Sequence, residues 1–338
     1  MTFLKIRIAK KQIGKTNPVF IVAESGINHN GNIKIAKNMI SQAKECNADA
    51  IKFQTFRAQD LASKKSKFFK IFKKVEIDYA DLGELSDHAK NEGIIFFSTP
   101  FSEEAVDVLA ELHVPAFKIA SGDITHIPLI KKIASKKKPI IISTGMSYFT
   151  EINDAVKAIK SEKNNKIIIM HSVTSYPTPS SDANLRAINT LQCRYKYPIG
   201  YSDNGEGILV PIIAVSLGAR IIEKHFTLSK KMNGPDHSFS ADPNELSLLV
   251  KNIRETEIIL GDGKKNPKPS ELQNIQHARR SIVALVNIKK GSKLTYNNIA
   301  IKRPGIGIPP LNFHKVIGFS AKRSIKIDQP IKWSDVKR

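Results

Sequence analysis

Short apolar, β-branched runs alternate with segments of helical period from residue 19 to about residue 261. The runs 19–28, 50–56, 94–99, 116–121, 139–145, 166–174, 198–203 and 220–226 predict eight strands. Within them apolar residues follow one another instead of alternating with polar ones, the pattern of strands covered on both faces. Between the runs, apolar positions recur at spacings of three and four; Ala36, Met39, Ile40 and Ala43 fall on one face of a helix predicted over 32–46. Further helices are predicted over 78–91, 102–112, 127–134, 151–159, 182–191, 205–217 and 244–260. Eight strand–helix units around a parallel sheet close into a (β/α)8 TIM barrel.

Two stretches depart from this rhythm. Residues 57–76, rich in Lys and Phe, form a long connection between the second strand and its helix, and loops of that length are functional or mobile. It is expected to close over the barrel mouth. The second stretch begins at Gly261 with GDGKKNPKPSE, a Gly/Pro/Lys composition that reads as a linker. Short β-like pieces at 281–286, around Leu294, at 299–302 and at 321–327 follow, separated by Gly- and Pro-containing turns. The expected organisation is a barrel over 1–262, a linker over 263–278 and a small β-rich domain over 279–338.

Composition narrows the class without naming it. The apolar runs stop after a few residues, far short of the roughly 20 that span a bilayer, so no membrane segment is expected. The N-terminal MTFLKIRIAKK alternates apolar and basic residues and has no apolar leader core, and Cys46 and Cys193 are the only cysteines. The expected location is the cytoplasm. Lys and Arg outnumber Asp and Glu by 22, and residues 271–338 contribute 14 basic against 3 acidic side chains. Such an excess fits nucleic acid, a membrane surface, small anionic substrates, or simply a Lys-rich composition.

Chemistry on this architecture sits at the C-terminal ends of the strands. Those positions are polar here: Glu24, Ser25 and Asn28; Lys52 and Gln54; Thr99; Lys118 and Ser121; Ser143; His171, Thr174 and Tyr176; Ser202, Asp203 and Asn204; Glu223, Lys224 and His225. Side-chain alternation aims Lys52 with Gln54, and Glu223 with His225. An inward lysine is costly unless it meets an anion. Lys52 and Lys118 with the hydroxyls of Thr99, Ser121, Ser143 and Ser202 therefore describe a site for a phosphate and a carboxylate, although any one Ser or Thr is equally suited to capping the next helix. His225, near Glu223 and the loop NGPDHSFS (233–240), is a candidate metal ligand. There is no GxGxxG after the first strand, no Walker A sequence and no GxSxG, which argues against nucleotide cofactors and acyl-enzyme chemistry.

The stretches IVAESGINHNGN (21–32), AIKFQTF (50–56), FFSTPF (96–101), FKIASGD (117–123), IISTGM (141–146), YPTP (176–179), GYSD (200–203), IIEKHFTL (221–228), GPDH (234–237) and KRPGIG (302–307) occur in order over almost the whole chain. In them the sequence closely resembles the sialic acid synthase family, bacterial nonulosonate synthases, and its tail resembles their antifreeze-like, or SAF, domain. The resemblance implies condensation of phosphoenolpyruvate with N-acetylmannosamine to a nine-carbon 2-keto acid with loss of phosphate. The same chemistry on a 2,4-diacetamido sugar, leading to legionaminate or pseudaminate, is the alternative. By the same resemblance Lys52, Thr99, Lys118, Ser121, Ser143, Thr174 and Ser202 hold phosphoenolpyruvate, while Glu24 and Asp236 sit by the reacting groups. Gln54, Asp123, Tyr176 and Arg303 contact the sugar. A manganese or magnesium ion is held by two histidines, the second of which is His225.

The first histidine, in the family's YSDH pattern, is Asn204 here. An amide carbonyl is a weaker, neutral oxygen ligand that suits a hard ion. The ion then binds with fewer strong ligands, or Glu223 compensates, or the chain is a metal-deficient relative. The SAF-like tail implies a domain-swapped homodimer in which Arg303 reaches the partner's barrel mouth. A reading of another class, a basic nucleic-acid-binding protein with an inactive barrel, would use residues 271–338, which show neither a helix-turn-helix nor aromatic-interleaved basic strands.

Overall fold

The computed structural model describes residues 4–338, which divide into two compact units at Gly261 and Asp262. In the first, strands and helices alternate as β1 (Phe20–Gly26), α1 (Ile33–Glu45), β2 (Ala50–Thr55), α2 (Tyr79–Glu92), β3 (Ile95–Pro100), α3 (Glu103–Glu111), β4 (Phe117–Ile119) and α4 (Ile127–Ser135). They continue as β5 (Ile140–Ser143), α5 (Phe149–Ser161), β6 (Ile167–Ser172), α6 (Ala187–Arg194), β7 (Ile199–Asp203), α7 (Leu209–Ser216), β8 (Ile221–His225) and α8 (Pro243–Leu260). Each strand pairs in parallel with the next, and β8 pairs with both β7 and β1, so the sheet is a closed TIM barrel.

The register explains why the strand sequences are apolar throughout. Phe53, Phe96, Ile142 and Ile222 point outward onto helices, and a layer of Phe20, Val22, Phe97, Ile141, Ile168, Met170 and Ile221 fills the interior. Above that layer the same interior face turns polar, with Glu24, Lys52, Lys118, Ser143, Ser202 and Glu223. Sequence thus places the floor and the site on one set of alternating positions. The register of β1 against β2 slips between Glu24 and Gly26, and Gly26 has φ +53°. This bulge, which a β-carbon would strain, turns the chain away just beyond Glu24.

Helix starts follow local chemistry. Asn32 accepts from the amides of Lys34 and Ile35 at the head of α1, Ser102 caps α3, and Asp242 with Glu245 forms a capping box on α8. Helices α6 and α7 begin at Ala187 and Leu209, later than the predicted 182 and 205. Pro177, Pro179 and a 3-10 turn at Ser180–Asp182 delay the first, and Gly205 and Gly207 delay the second. Strand β4 has three residues, shorter than the predicted 116–121.

Residues 57–76 are not irregular: they form helical turns at Ala58–Leu61 and Phe69–Val75. Phe56 meets Phe72 and Phe101 edge-on at ring distances of 5.6 and 6.0 Å, and with Ile27 and Val75 they form a small apolar cluster. Ile27, Phe56 and Phe101 follow β1, β2 and β3, so the segment rests on the C-terminal ends of those strands. At the other end a hairpin, Ile6–Ile8 with Lys11–Ile13, which the sequence reading did not foresee, buries Ile6, Ile8 and Ile13 in the barrel core. Lys11 pairs there with Asp49, which also accepts from the Ile21 amide at 2.8 Å and pairs with Arg254 at 3.0 Å.

The second unit has its own core of Ile282, Leu294, Ile299, Ile308, Val316, Ile325, Ile331 and neighbours. Strand Ser281–Ala284 pairs antiparallel with Ile299–Lys302, and Ser320–Ala321 with Val336–Lys337. Part of the stretch expected to be a linker is ordered as a 3-10 turn, Pro269–Glu271, and a helix, Leu272–Ala278. No helix among the described residues is long and apolar enough to cross a membrane.

Candidate active site

The polar end of the barrel interior encloses a small cavity of about 60 Å³ lined by Glu24, Lys52, Thr99, Lys118, Ser202 and Glu223 among others. Its electrostatic centre is two lysines facing two carboxylates. Lys52 Nζ lies 2.7 Å from Glu24 Oε2 and 3.9 Å from Glu223 Oε2, and donates to Thr99 Oγ1 at 3.0 Å. Lys118 Nζ donates to Ser143 Oγ at 2.7 Å and lies 3.5 Å from Glu223 Oε1. Ser202 Oγ donates to Glu223 Oε1 at 3.0 Å, and Gln54 Nε2 to Glu24 Oε1 at 3.2 Å. Both lysines are almost wholly buried.

These contacts split the two carboxylates. Burial lifts Glu24 to a pKa of about 7; Lys52 pulls against that and Glu223 adds to it. Burial acts on Glu223 in the same direction, but Lys118 and Lys52 together outweigh it and hold Glu223 below the usual carboxylate range. Lys118 is itself lowered by burial, against the attraction of Glu223. A small multivalent anion entering here would take the lysines from the carboxylates, and the proton that Glu24 readily accepts would relieve the remaining repulsion.

Beside this pair sits His225. Its Nδ1 is buried with no hydrogen-bond partner among the described residues, 3.9 Å from Asp236 Oδ2, and burial followed by repulsion from Lys52 lowers its pKa to about 3. The ring is therefore neutral with a free nitrogen. Phe239 and Tyr176 wall it at ring distances of 5.4 and 5.8 Å. Burial raises Asp236 to about 6. Asn204 donates through Nδ2 to Val173 O at 2.8 Å and towards Ser172 Oγ at 3.4 Å, which leaves its carbonyl oxygen as the atom on offer. An unpartnered neutral imidazole nitrogen and an amide oxygen, with the Asp236 carboxylate near enough to offset its charge, fit a hard divalent ion. They make a sparse set: no three His, Cys, Asp or Glu side chains converge as a metal cluster among the described residues.

Most of the predicted residues thus come together. Glu24, Lys52, Gln54, Thr99, Lys118, Ser121, Ser143, Tyr176, Ser202, Asn204 and His225 line one cavity. Thr174 stands at its edge: a β-carbon on Gly145 would come within 2.1 Å of Thr174 Oγ1 and 2.9 Å of Ser121 Oγ, so only glycine lets these hydroxyls close in. Thr174 Oγ1 is buried and has no partner among the described residues, nor has Asp123 Oδ2, whose carboxyl pKa is raised by burial. Arg303 lies in the second unit, where its Nε donates to Ala278 O at 2.9 Å. His171 points outward and bonds Ala183 O at 2.8 Å, a structural role. Glu223, considered from sequence only as a substitute ligand, is central instead, and its parity with His225 on β8 was the signal for it.

Residues 39–265 match the NeuB family and residues 279–337 the SAF domain. An uncharacterized protein of Methanocaldococcus jannaschii is 49% identical over 98% of both chains. An N,N'-diacetyllegionaminic acid synthase of Campylobacter jejuni is 41% identical over 92% of this chain and 98% of its own. Among solved structures, an N-acetylneuraminic acid (sialic acid) synthetase from Leptospira borgpetersenii is 39% identical and superposes with a TM-score of 0.78, over 81% of this chain and 96% of that one.

Proposed function

The chain belongs to the NeuB family, and from that premise we propose that it condenses phosphoenolpyruvate with the open-chain aldehyde of an N-acetylated amino sugar. Water is consumed and phosphate released, and the product is a nine-carbon 2-keto sugar acid. The observation that carries this reading is the pair of buried, inward lysines opposed by two carboxylates of unlike basicity, next to an unpartnered neutral imidazole.

In this reading Lys52 and Lys118 bind the phosphate and carboxylate of phosphoenolpyruvate, with Thr99, Ser121, Ser143, Thr174 and Ser202 supplying hydroxyls. Gln54, Asp123 and Tyr176 orient the sugar so that its aldehyde carbon meets C3 of the enol. The new C–C bond leaves C2 cationic; water adds there, and the C2–O bond to phosphorus breaks to give the ketone and phosphate. Glu24, whose proton burial helps to retain, donates to the aldehyde oxygen as it becomes a hydroxyl, and Asp236 accepts a proton from the attacking water. His225 and Asn204 would hold manganese or magnesium, which when bound supplies Lewis-acid polarisation of the aldehyde.

The pH profile of kcat/KM follows from these roles. The rate is expected to rise with pH as Asp236, raised by burial, ionises and to fall at higher pH as Glu24, raised by burial and by Glu223, loses its proton, giving a bell. Asp236→Asn should remove the acid limb that remains after correction for the ionisation of phosphoenolpyruvate itself. A profile with the same limb in that variant would reassign the base.

The first acceptor to test is N-acetylmannosamine. The similarity to a diacetyllegionaminic acid synthase favours a second reading, a 2,4-diacetamido-6-deoxy acceptor. Mass spectrometry of products formed from phosphoenolpyruvate and each sugar separates the two. We further propose a cytoplasmic homodimer with Arg303 serving the acceptor, testable by sedimentation equilibrium. The two thiols are free, which suits a reducing compartment. The family match over both units favours an enzymatic place for the basic tail over nucleic-acid binding.

A further inference from the structure

Behind the site, on the outer face of β7 and β8, lies a set of buried polar groups that the reaction does not use. Strand alternation aims Ser202, Glu223 and His225 into the barrel, and therefore Tyr201, Asp203 and Lys224 outward beneath the helices. Lys224 and Asp203 are register partners, each only 1% exposed, with Nζ to Oδ2 at 2.7 Å. A buried ion pair contributes little net stability relative to apolar side chains of the same volume, so its presence calls for another role.

That role can be read from what the two side chains also hold. Asp203 Oδ1 accepts from the Gly205 amide at 3.1 Å and from Tyr201 Oη at 3.3 Å, while Lys224 Nζ donates to Gly205 O. The residues on either side of Asn204 are thus tied to the middle of the β8 terminus, and Val173 O then holds the Asn204 amide. On β8, Lys224 stands between Glu223 and His225. One buried pair outside the barrel wall therefore fixes the backbone next to both residues that offer ligand atoms inside it.

We propose that Lys224 and Asp203 are positioning residues that set Asn204 and His225 at the spacing required to hold a divalent ion. This rests on the metal reading given above. Outer partners of metal ligands typically govern affinity through orientation, and their loss costs about 10–100-fold.

The test uses the full-length protein and three readouts: Mn2+ binding followed by the EPR signal of the free ion, phosphoenolpyruvate binding by calorimetry, and thermal unfolding. Lys224→Met is expected to weaken Mn2+ by about tenfold or more and phosphoenolpyruvate far less, because Lys52 and Lys118, which carry most of the anion's binding, stand on other strands. It should also lower the melting temperature by leaving Asp203 unpaired. The double variant Asp203→Asn/Lys224→Met removes both charges at nearly constant volume. It should recover the melting temperature but not the Mn2+ affinity, since Gly205 O still lacks its donor. Recovery of both together would show a purely structural pair and overturn the proposal, as would normal Mn2+ affinity in a folded Lys224→Met. If the single variant does not fold, the double variant alone decides. Failure of the unaltered protein to bind Mn2+ is a different result: it overturns the metal reading, and this inference with it.

Discussion

Lys118→Ala is expected to lower kcat/KM by about 2–5 kcal/mol, roughly 30-fold to several-thousand-fold, with phosphoenolpyruvate binding lost in parallel. The lysine is nearly fully buried, and its close partners are Ser143 and Glu223. Its removal would deprive a desolvated anion of a charge-assisted contact and leave Glu223 facing that anion with only Lys52 to offset it. Lys52→Ala should be comparably severe. Lys64 and Lys163, which lie on the surface and make no ion pair among the described residues, serve as controls and should change the rate little. Steady-state kinetics with calorimetric titration of phosphoenolpyruvate checks this; near-normal turnover in Lys118→Ala would remove the anion site from the account.

His225→Ala is expected to abolish turnover while phosphoenolpyruvate still binds, because the imidazole is neutral, unpartnered and on a different strand from the lysines. Asn204→His should act in the opposite sense on the metal, tightening Mn2+ by replacing a neutral oxygen ligand with a nitrogen one. Titrations of Mn2+ and of phosphoenolpyruvate against both variants separate the two effects. Full activity of the unaltered protein in a chelator, with no metal found by elemental analysis, would leave activation of the aldehyde to protein hydrogen bonds.

The barrel was legible because strands covered on both faces are apolar at every position, a pattern no surface strand shares. The lysines at 52 and 118 stood out for the same reason: a charge inside such a run must meet an opposite charge. Parity on a strand also aligned Glu223 with His225, but not the distance from Glu223 to Lys118, because β4 and β8 lie across the barrel from one another. Lys224 illustrates the limit more sharply. Its parity turns it away from the cavity onto helices, where a lysine has no evident reason to be, and only the pairing of β8 with β7 shows that Asp203 waits there. The N-terminal hairpin escaped because its two strands of three residues each are too short to show a period. The late starts of α6 and α7 trace to Pro and Gly, whose backbone preferences override the apolar spacing.

The central claim is that this barrel joins phosphoenolpyruvate to an amino-sugar aldehyde with cleavage at carbon. The direct measurement is a reaction of phosphoenolpyruvate labelled with oxygen-18 at the bridging position, with N-acetylmannosamine or its 2,4-diacetamido counterpart and Mn2+, followed by mass spectrometry of both products. The account predicts a nine-carbon 2-keto acid without the label and inorganic phosphate carrying it, since C2–O cleavage sends the bridging oxygen to phosphorus. Label retained in the keto acid, or no carbon–carbon product with either sugar, would contradict it.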